Sequence, residues 1–298
     1  MSLRIPAAAT EIAGVAEAAG QLGIKTEDIL QFSEVMINLG VATNLSAEEA
    51  ASSLAKFANI TGMSADNYSR LGSVVVDLGN SMATTEKDIV AMGMNIASAG
   101  KQAGLTEDQI MGMAAALSSV GLEAEAGGTA ISRLLIQMQT AAETGAQAAQ
   151  TIASTGYTLR ELEMLADSDA KAFKAVAHSL NLTTGELKNA MSTKGDLEQF
   201  AEICGMTGDE FARAFGADAA GTISQFFVGL GSGSQSAIAA LEEMGVTETR
   251  LRDTMLRLAS SGDVFSSSLR TASGAWKQNT ALANEAIKRY ATTESRIQ

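Results

Sequence analysis

The sequence predicts an all-α protein, built as an irregular array of short helical hairpins packed in one or two modules. Alanine, leucine, methionine, glutamate and lysine dominate its periodic segments, and Pro6 is the only proline in 298 residues. Apolar residues recur at the three- and four-residue spacing of helices, whereas the alternation typical of strands does not recur. A glycine, an apolar residue and a hydroxyl residue also recur together, and this combination is typical of a junction between two helices.

The stretch "GLTEDQI" at residues 104–110 explains this junction signal. Gly104 can take the left-handed conformation that ends one helix, and Leu105 holds the position of a hydrophobic staple. Thr106 can accept a hydrogen bond from a free N–H group of the next helix. Glu107 and Asp108 fall in the first turn of that helix, where the helix dipole favours negative charge.

The same signal predicts helix ends at further glycines, namely Gly23, Gly62, Gly156, Gly205 and Gly245. Aligning Gly23 with Gly104 also aligns Gly40 with Gly121, so longer repeats accompany the signal. The spacings between the glycines are unequal, which excludes a solenoid of one fixed period. We therefore expect hairpins that are reused irregularly.

Each predicted helix carries one apolar stripe. In chain order the stripes are Ile29, Phe32 and Met36; Ile110, Met113 and Leu117; Ile131, Leu134, Leu135 and Met138; and Leu251, Met255 and Leu258. The third stripe predicts a central helix in the first half of the chain. The methionines at stripe positions, such as Met111, are predicted to fill the core, with an adaptable partner surface as the alternative.

A change in composition near Gly145 predicts two modules, residues 1–145 and residues 146–298. Beyond Gly145 the helices look shorter, and the loops are richer in threonine, serine, glycine and aspartate. The stretch from Gly231 to Ser234 marks a second flexible point, although a four-residue loop does not define a domain.

Charge and hydropathy exclude several classes of function. The net charge of −13 disfavours nucleic acid and anionic membrane surfaces as the main ligands. The longest apolar run, Ile89 to Gly100, is too short to span a membrane, and the start of the chain lacks a signal-peptide pattern. We expect a protein made in the cytoplasm. Helical pattern begins almost at once, so we also expect a fragment of a longer protein.

Pairs of adjacent acids raise the possibility of glycoside hydrolysis, which needs two facing carboxylates across a cleft. The pairs are Glu48 and Glu49, Glu107 and Asp108, and Glu242 and Glu243. Neighbours on a helix point in different directions, and aromatic residues make up only 4% of the chain. We therefore interpret these residues as solvated first-turn acids.

Other candidate groups also favour structural interpretations. His178 is the only histidine and Cys204 the only cysteine, which excludes a two-histidine zinc site and an internal disulfide. The glycine-rich stretch "GLGSGSQS" lacks the lysine of a phosphate-binding loop. The basic group of Arg250, Arg252 and Arg257 is expected to form a solvated face, with Glu248 paired to Arg252. We predict no catalytic, cofactor-binding or metal-binding residues, no cofactor, and no enzyme activity.

Several longer stretches resemble the phage tail tape-measure proteins, also called phage-related minor tail proteins. The most specific are "LTEDQI" and "ALSSVGLEAEAGGTAISRLL", with "GELKNAMSTKGDLEQFAEICGMTGDEFARAF" and "NTALANEAIKRYATTESRI" farther on. The resemblance covers nearly the whole chain.

The resemblance implies a structural protein of a phage or prophage tail that sets tail length and supports tube assembly and genome ejection. The partners it implies are the tail-tube protein, tail assembly chaperones and other tail or baseplate proteins, with possible self-association. The implied location is the tube interior of the virion tail. Two alternatives stay open: a cell-wall hydrolase module of a tail protein, and an unrelated helical adaptor.

Overall fold

A computed structural model of the chain describes residues 9–232, 239, 241–242, 249–261 and 263–297. These residues form fifteen α-helices and one 3-10 turn at Ala65–Asn67, and they contain no strand, so the all-α prediction is confirmed. In chain order the helices are α1 Ala9–Gln21, α2 Ile29–Ala42, α3 Ala47–Thr61, α4 Tyr68–Ser81, α5 Glu86–Gln102, α6 Glu107–Ser119, α7 Ala124–Ser154, α8 Leu159–Ser168, α9 Ala170–Ser179, α10 Thr184–Ile203, α11 Gly208–Ala217, α12 Ala219–Ser232, α13 Thr249–Ser260, α14 Val264–Gln278 and α15 Ala281–Ile297.

Backbone contacts divide the chain into two compact units. Unit 1 contains residues 1–132 together with residues 249–298, and unit 2 contains residues 133–248. The change between them falls within α7, and Gly145 also lies inside this helix. The expected division into residues 1–145 and residues 146–298 stays a prediction of modules, since the units follow packing and the modules follow composition.

Unit 1 is built around helices α4 and α6. Helix α6 packs against α5, and α14 packs against both α6 and α4. Helices α1, α2 and α3 pack together, and α15 lies against α2 and α4. Phe32 and Tyr68 meet edge to face in this core, with ring centroids 4.8 Å apart. The C-terminal helices thus complete a core that the N-terminal helices begin.

Helix α6 approaches α14 closely because Gly112 has no side chain. A Cβ atom at Gly112 would lie 3.1 Å from the Ala272 Cβ and 3.2 Å from the Leu269 Cα. Ile110, Met113 and Leu117 are all buried on the same helix, as their stripe predicts. Small and large apolar residues therefore share the packing surface of α6.

Unit 2 contains two apolar clusters. The first joins α8, α9 and the beginning of α10 to the end of α7, through Ile152, Leu162, Phe173, Ala177, Leu187 and Met191. The second is aromatic and joins the end of α10 to α11 and α12. In it Phe200 stacks on Phe211 and meets Phe226 edge to face, with ring centroids 5.8 Å apart in both pairs. The polar surface of α10 thus lies over residues that belong to both clusters.

Two helix pairs of unit 2 repeat one another in detail. Helices α8 and α11 both have ten residues, and each is followed at once by a further helix. The connecting residues, Asp169 and Asp218, have nearly the same backbone angles, with φ −141° and ψ 84° at the first and φ −150° and ψ 86° at the second. A carboxylate oxygen of each accepts a hydrogen bond from the first turn of the next helix. These hairpins are the reused element that the sequence predicts.

The predicted helix ends are confirmed at Gly23, Gly62, Gly104, Gly156 and Gly205, which all have positive φ angles. Gly245 lies outside the described residues. The alignment of Gly40 with Gly121 is wrong as a structural equivalence. Gly121 ends a helix with φ +85°, whereas Gly40 lies inside α2, where a Cβ atom would come within 2.9 Å of the Ala47 backbone nitrogen.

Helix α7 is the predicted central helix, and at 31 residues it is the longest of the described helices. Its four stripe residues are buried, as expected. Met255 and Leu258 of α13 are buried too, while the side chain of Leu251 lies outside the described residues. The stripes therefore identify core faces in both units.

Candidate functional site

The helix junctions are the most frequently repeated arrangement of polar groups in the chain. At the junction around Gly104, the Leu105 N–H donates to the Gly100 carbonyl and the Gly104 N–H donates to the Lys101 carbonyl. This pair of bonds is a Schellman motif, which satisfies the last carbonyl groups of α5. The same two-bond pattern occurs around Gly23, Gly121 and Gly205.

The start of α6 differs in detail from its prediction. The Thr106 hydroxyl donates a hydrogen bond of 2.6 Å to Asp108 Oδ1. The side-chain oxygen of Gln109, rather than either acid, accepts from the Thr106 N–H at 3.0 Å. Asp108 is only 8% exposed, so its interpretation as a solvated acid is wrong. Its hydrogen bond to Thr106 compensates the carboxylate for part of the lost water.

Four other helices begin with complete capping boxes, in which a hydroxyl residue and a glutamate three positions later exchange hydrogen bonds. The pairs are Ser46 with Glu49, Thr158 with Glu161, Thr183 with Glu186, and Thr207 with Glu210. The N–H group at the start of each helix, as a donor to the carboxylate, lowers the pKa of each glutamate. The acids at these positions are therefore occupied in ending and starting helices.

Asn181 marks a junction that the glycine signal did not identify. Its φ angle is 56°, and the Leu182 N–H donates to the Ala177 carbonyl as in a Schellman motif. Thr183 then begins α10. Asparagine tolerates the left-handed conformation better than most residues, so "NLT" carries the same information as "GMT" at residues 205–207.

The two candidate nucleophilic or metal-binding side chains lie in unsuitable surroundings. His178 is exposed in the last turn of α9. Cys204 is buried, and burial raises the pKa of its thiol to about 11. A thiol with that pKa is a poor nucleophile at neutral pH. Within the described ranges, no group of three or more histidine, cysteine, aspartate or glutamate side chains is arranged to hold a metal ion.

The remaining acid and base predictions have separate outcomes. Glu48 and Glu49 are exposed in the first turn of α3, as expected. Glu242 is exposed, while its neighbour Glu243 lies outside the described residues. Arg257 donates a hydrogen bond of 2.9 Å to Thr254 Oγ1 on α13. The expected pairing of Glu248 with Arg252 involves a residue that the structure does not describe.

The methionine prediction is confirmed for core filling. Met111, Met113, Met138 and Met255 are each at most 1% exposed. Met164, which the stripes did not include, is 56% exposed on α8. Buried thioethers of this kind fill irregular gaps between helices.

A polar groove lies between α8 and α10 in unit 2. Its lining includes Glu163, Lys188, Asp196 and Glu202. Burial raises the pKa of Asp196, and the nearby positive charge of Arg133 opposes that change. His178 is not among the described residues that line this groove. The groove thus holds carboxylates and a lysine without the imidazole that the sequence offered as a base.

Among the described helices, none is both long enough and apolar enough to cross a membrane. The helices instead carry apolar stripes on one side, which suits packing against other helices in the same unit.

Comparison with known proteins adds one match. A family model described as phage-related minor tail protein matches residues 1–206. No curated protein and no solved structure matches the chain. The matched segment contains α1 to α10, including the junction at Gly104 and the buried stripe of α7. Since the match covers more than half of the sequence, the chain belongs to the phage-related minor tail protein family.

Proposed function

We propose that the chain is part of a tail tape-measure protein, which sets tail length and supports tail-tube assembly and genome ejection. The family match supports a structural role in a phage tail. The resemblance of "LTEDQI" and "ALSSVGLEAEAGGTAISRLL" to tape-measure proteins supports the more specific role. In this proposal the protein is made in the host cytoplasm and then occupies the interior of the tail tube.

The repeated helix ends carry the proposal on how this part of the protein works. A continuous helix of 298 residues would extend about 450 Å, whereas the 31-residue α7 extends about 47 Å. Schellman motifs and capping boxes stop the other described helices after at most 20 residues. We infer that the chain contributes folded contact modules during assembly, and that its contribution to tail length requires these modules to open.

The proposed role needs no catalysis. The acids at the helix starts hold backbone N–H groups, and Cys204 is buried with a raised pKa. The net charge of −13 also disfavours direct contact with the genome that passes through the tube. The partners in this proposal are the tail-tube protein, the assembly chaperones and other tail or baseplate proteins.

A pull-down from infected or induced cells tests the partners. We expect the tagged protein to enrich the tail-tube protein and the assembly chaperones. A Leu134→Asp variant serves as the control, because a charge in the buried stripe of α7 disrupts the fold and should abolish the enrichment. Enrichment of neither partner by the folded protein would contradict the proposal.

Electron microscopy of tails tests the length-setting role separately. An in-frame deletion of residues 133–248 from the phage gene removes unit 2 and leaves both parts of unit 1. If these residues are extended as helix in the tube, tails should shorten by about 170 Å. Tails of unchanged length would contradict a contribution of unit 2 to the ruler.

A further inference from the structure

The last two helices of unit 1 lie across helices from the beginning of the chain. We call residues 264–297, which contain α14 and α15, the C-terminal strap. Helix α14 packs against α4 and α6, and α15 packs against α4 and α2. These three N-terminal helices therefore form a groove that the strap fills.

Small residues bring the strap and the groove close together. Gly112 of the groove faces Ala272 of the strap, and a Cβ atom at Gly112 would also lie 3.2 Å from the Ser268 carbonyl oxygen. Gly72 faces Leu282, whose Cδ2 would lie 2.9 Å from an added Cβ. The groove is thus shaped to this particular segment, since its two glycines lie where the strap comes closest.

Hydrogen bonds fix the strap at its turn. Asn279 Oδ1 accepts from Ser69 Oγ at 2.9 Å and from Ser73 Oγ at 3.2 Å. Ser73 Oγ in turn accepts from the Leu282 N–H at 3.4 Å. A fourth bond of 2.8 Å runs from Arg70 to the Trp276 carbonyl. All four bonds join α4 to residues near the turn between α14 and α15.

Helix α14 depends on the groove for its stability. Its sequence, "VFSSSLRTASGAWKQ", contains four serines, a threonine and a glycine in 15 residues. Helices of this length are marginal in water even with better helix formers. The strap is therefore a segment that folds where it finds this groove, as in the docking of an amphipathic helix into a partner's groove.

The order of the chain separates the strap from its groove. The groove helices end at Ser119, the strap begins at Val264, and residues 133–248 form a unit of their own. Every copy of the chain carries the same groove and the same strap. A strap from a second copy would therefore meet the contacts that the chain's own strap makes, which is the condition for exchange of an element between copies.

We propose that the groove of α2, α4 and α6 is a docking site for the C-terminal strap of a second copy of this chain as well as for the chain's own strap. The exchange gives this protein a route to self-association in which the contacts of α14 and α15 are kept. It is a property of the chain by itself and does not depend on the proposed tail role.

Disulfide trapping tests the exchange. All variants carry Cys204→Ala, so that no native thiol competes. One copy carries Ser69→Cys and the other carries Asn279→Cys, and the two are refolded together and then oxidised. We expect several-fold more covalent dimer than in the matched control, in which Lys277→Cys replaces Asn279→Cys. Lys277 is exposed two residues away on the same strap.

A double variant with Ser69→Cys and Asn279→Cys in one chain shows whether the disulfide closes. If it closes within one chain while the mixed copies give no more dimer than the control, the proposal is overturned. Light scattering of the natural sequence, refolded at low and at high concentration, is independent of disulfide geometry. We expect a dimer at high concentration that is absent at low concentration, and monomer at both concentrations would overturn the proposal.

Discussion

Gly229 of α12 lies directly against the backbone of Ile203 at the end of α10. A Cβ atom at Gly229 would overlap the Ile203 carbonyl oxygen. The contact joins two helices that also share the aromatic cluster, since Phe200 and Phe226 lie on the same pair. The absence of a side chain at residue 229 thus determines how closely these helices pack.

Gly229→Ala should therefore destabilise unit 2. In an unconstrained helix this change stabilises by about 1 kcal/mol, but overpacking against a backbone atom costs about 1–3 kcal/mol or more. Gly274→Ala is the matched control, because an added Cβ at Gly274 of α14 meets no atom within 4 Å. We expect opposite shifts in the urea midpoint, downward for Gly229→Ala and upward for Gly274→Ala. Equal shifts would contradict the packing described.

Ser33 offers a test of an unpaired polar group in the core. Its side chain is 1% exposed, and its hydroxyl has no hydrogen-bond partner among the described residues. Ser33→Ala removes a buried polar atom without leaving another unpaired, so it should be neutral or stabilise by up to about 1 kcal/mol. Ser73→Ala should instead cost about 1–3 kcal/mol, because it leaves the Leu282 N–H without its acceptor. Denaturant unfolding measures both changes.

The capping boxes predict a loss of stability in acid. Contacts with backbone N–H groups lower the pKa of Glu49, Glu161, Glu186 and Glu210 from the usual 4.5. A carboxyl group with a lowered pKa stabilises the folded state above the ordinary value, and this stability is lost as pH falls through the lowered value. Asp196, whose pKa burial raises, contributes in the opposite direction.

The variant that tests this prediction carries Glu→Gln at all four positions. Its stability should fall less than that of the natural sequence as the pH is lowered from 7 to below 4.5, because glutamine keeps a hydrogen-bond acceptor and does not titrate. Thermal unfolding at a series of pH values measures the difference. Parallel curves for the two proteins would show that these glutamates do not control acid stability.

The stripe of α7 and the first turn of α6 predict unequal effects of changing charge. Leu134 is 2% exposed, so Leu134→Asp should cost several kcal/mol. Asp108→Asn should cost about 0.3–1 kcal/mol, since the new amide oxygen can still accept the hydrogen bond from Thr106. Circular dichroism during thermal unfolding compares the two. Similar losses would mean that the buried carboxylate matters more than its helix position suggests.

Local sequence patterns predicted the parts of this fold that depend on local forces. A helix end needs only a residue that adopts positive φ and an acceptor nearby, so Gly104 and Thr106 could be identified from their neighbours. Asn181 was missed because the pattern was written for glycine alone, although asparagine adopts the same conformation.

Long-range packing could not be read from those patterns. The stripe of α6 showed that Ile110 is buried, but not that α14 would cover the same helix. Asp108 is buried through the packing around α6, and its sequence neighbours carry no sign of this. The partner of a surface is determined by which distant segments match it in shape, as Gly112 and Ala272 do.

The interleaved order of the two units has a consequence for synthesis on the ribosome. Unit 1 cannot close when its first 132 residues emerge, because α14 and α15 are made only after residues 133–248. At about 5–20 residues per second, that wait is on the order of ten seconds. Unit 2 is complete before unit 1, although it starts later. During the wait the sides of α4 and α6 that α14 will cover face the cytoplasm, where a nascent-chain chaperone or a neighbouring ribosome's product can reach them first.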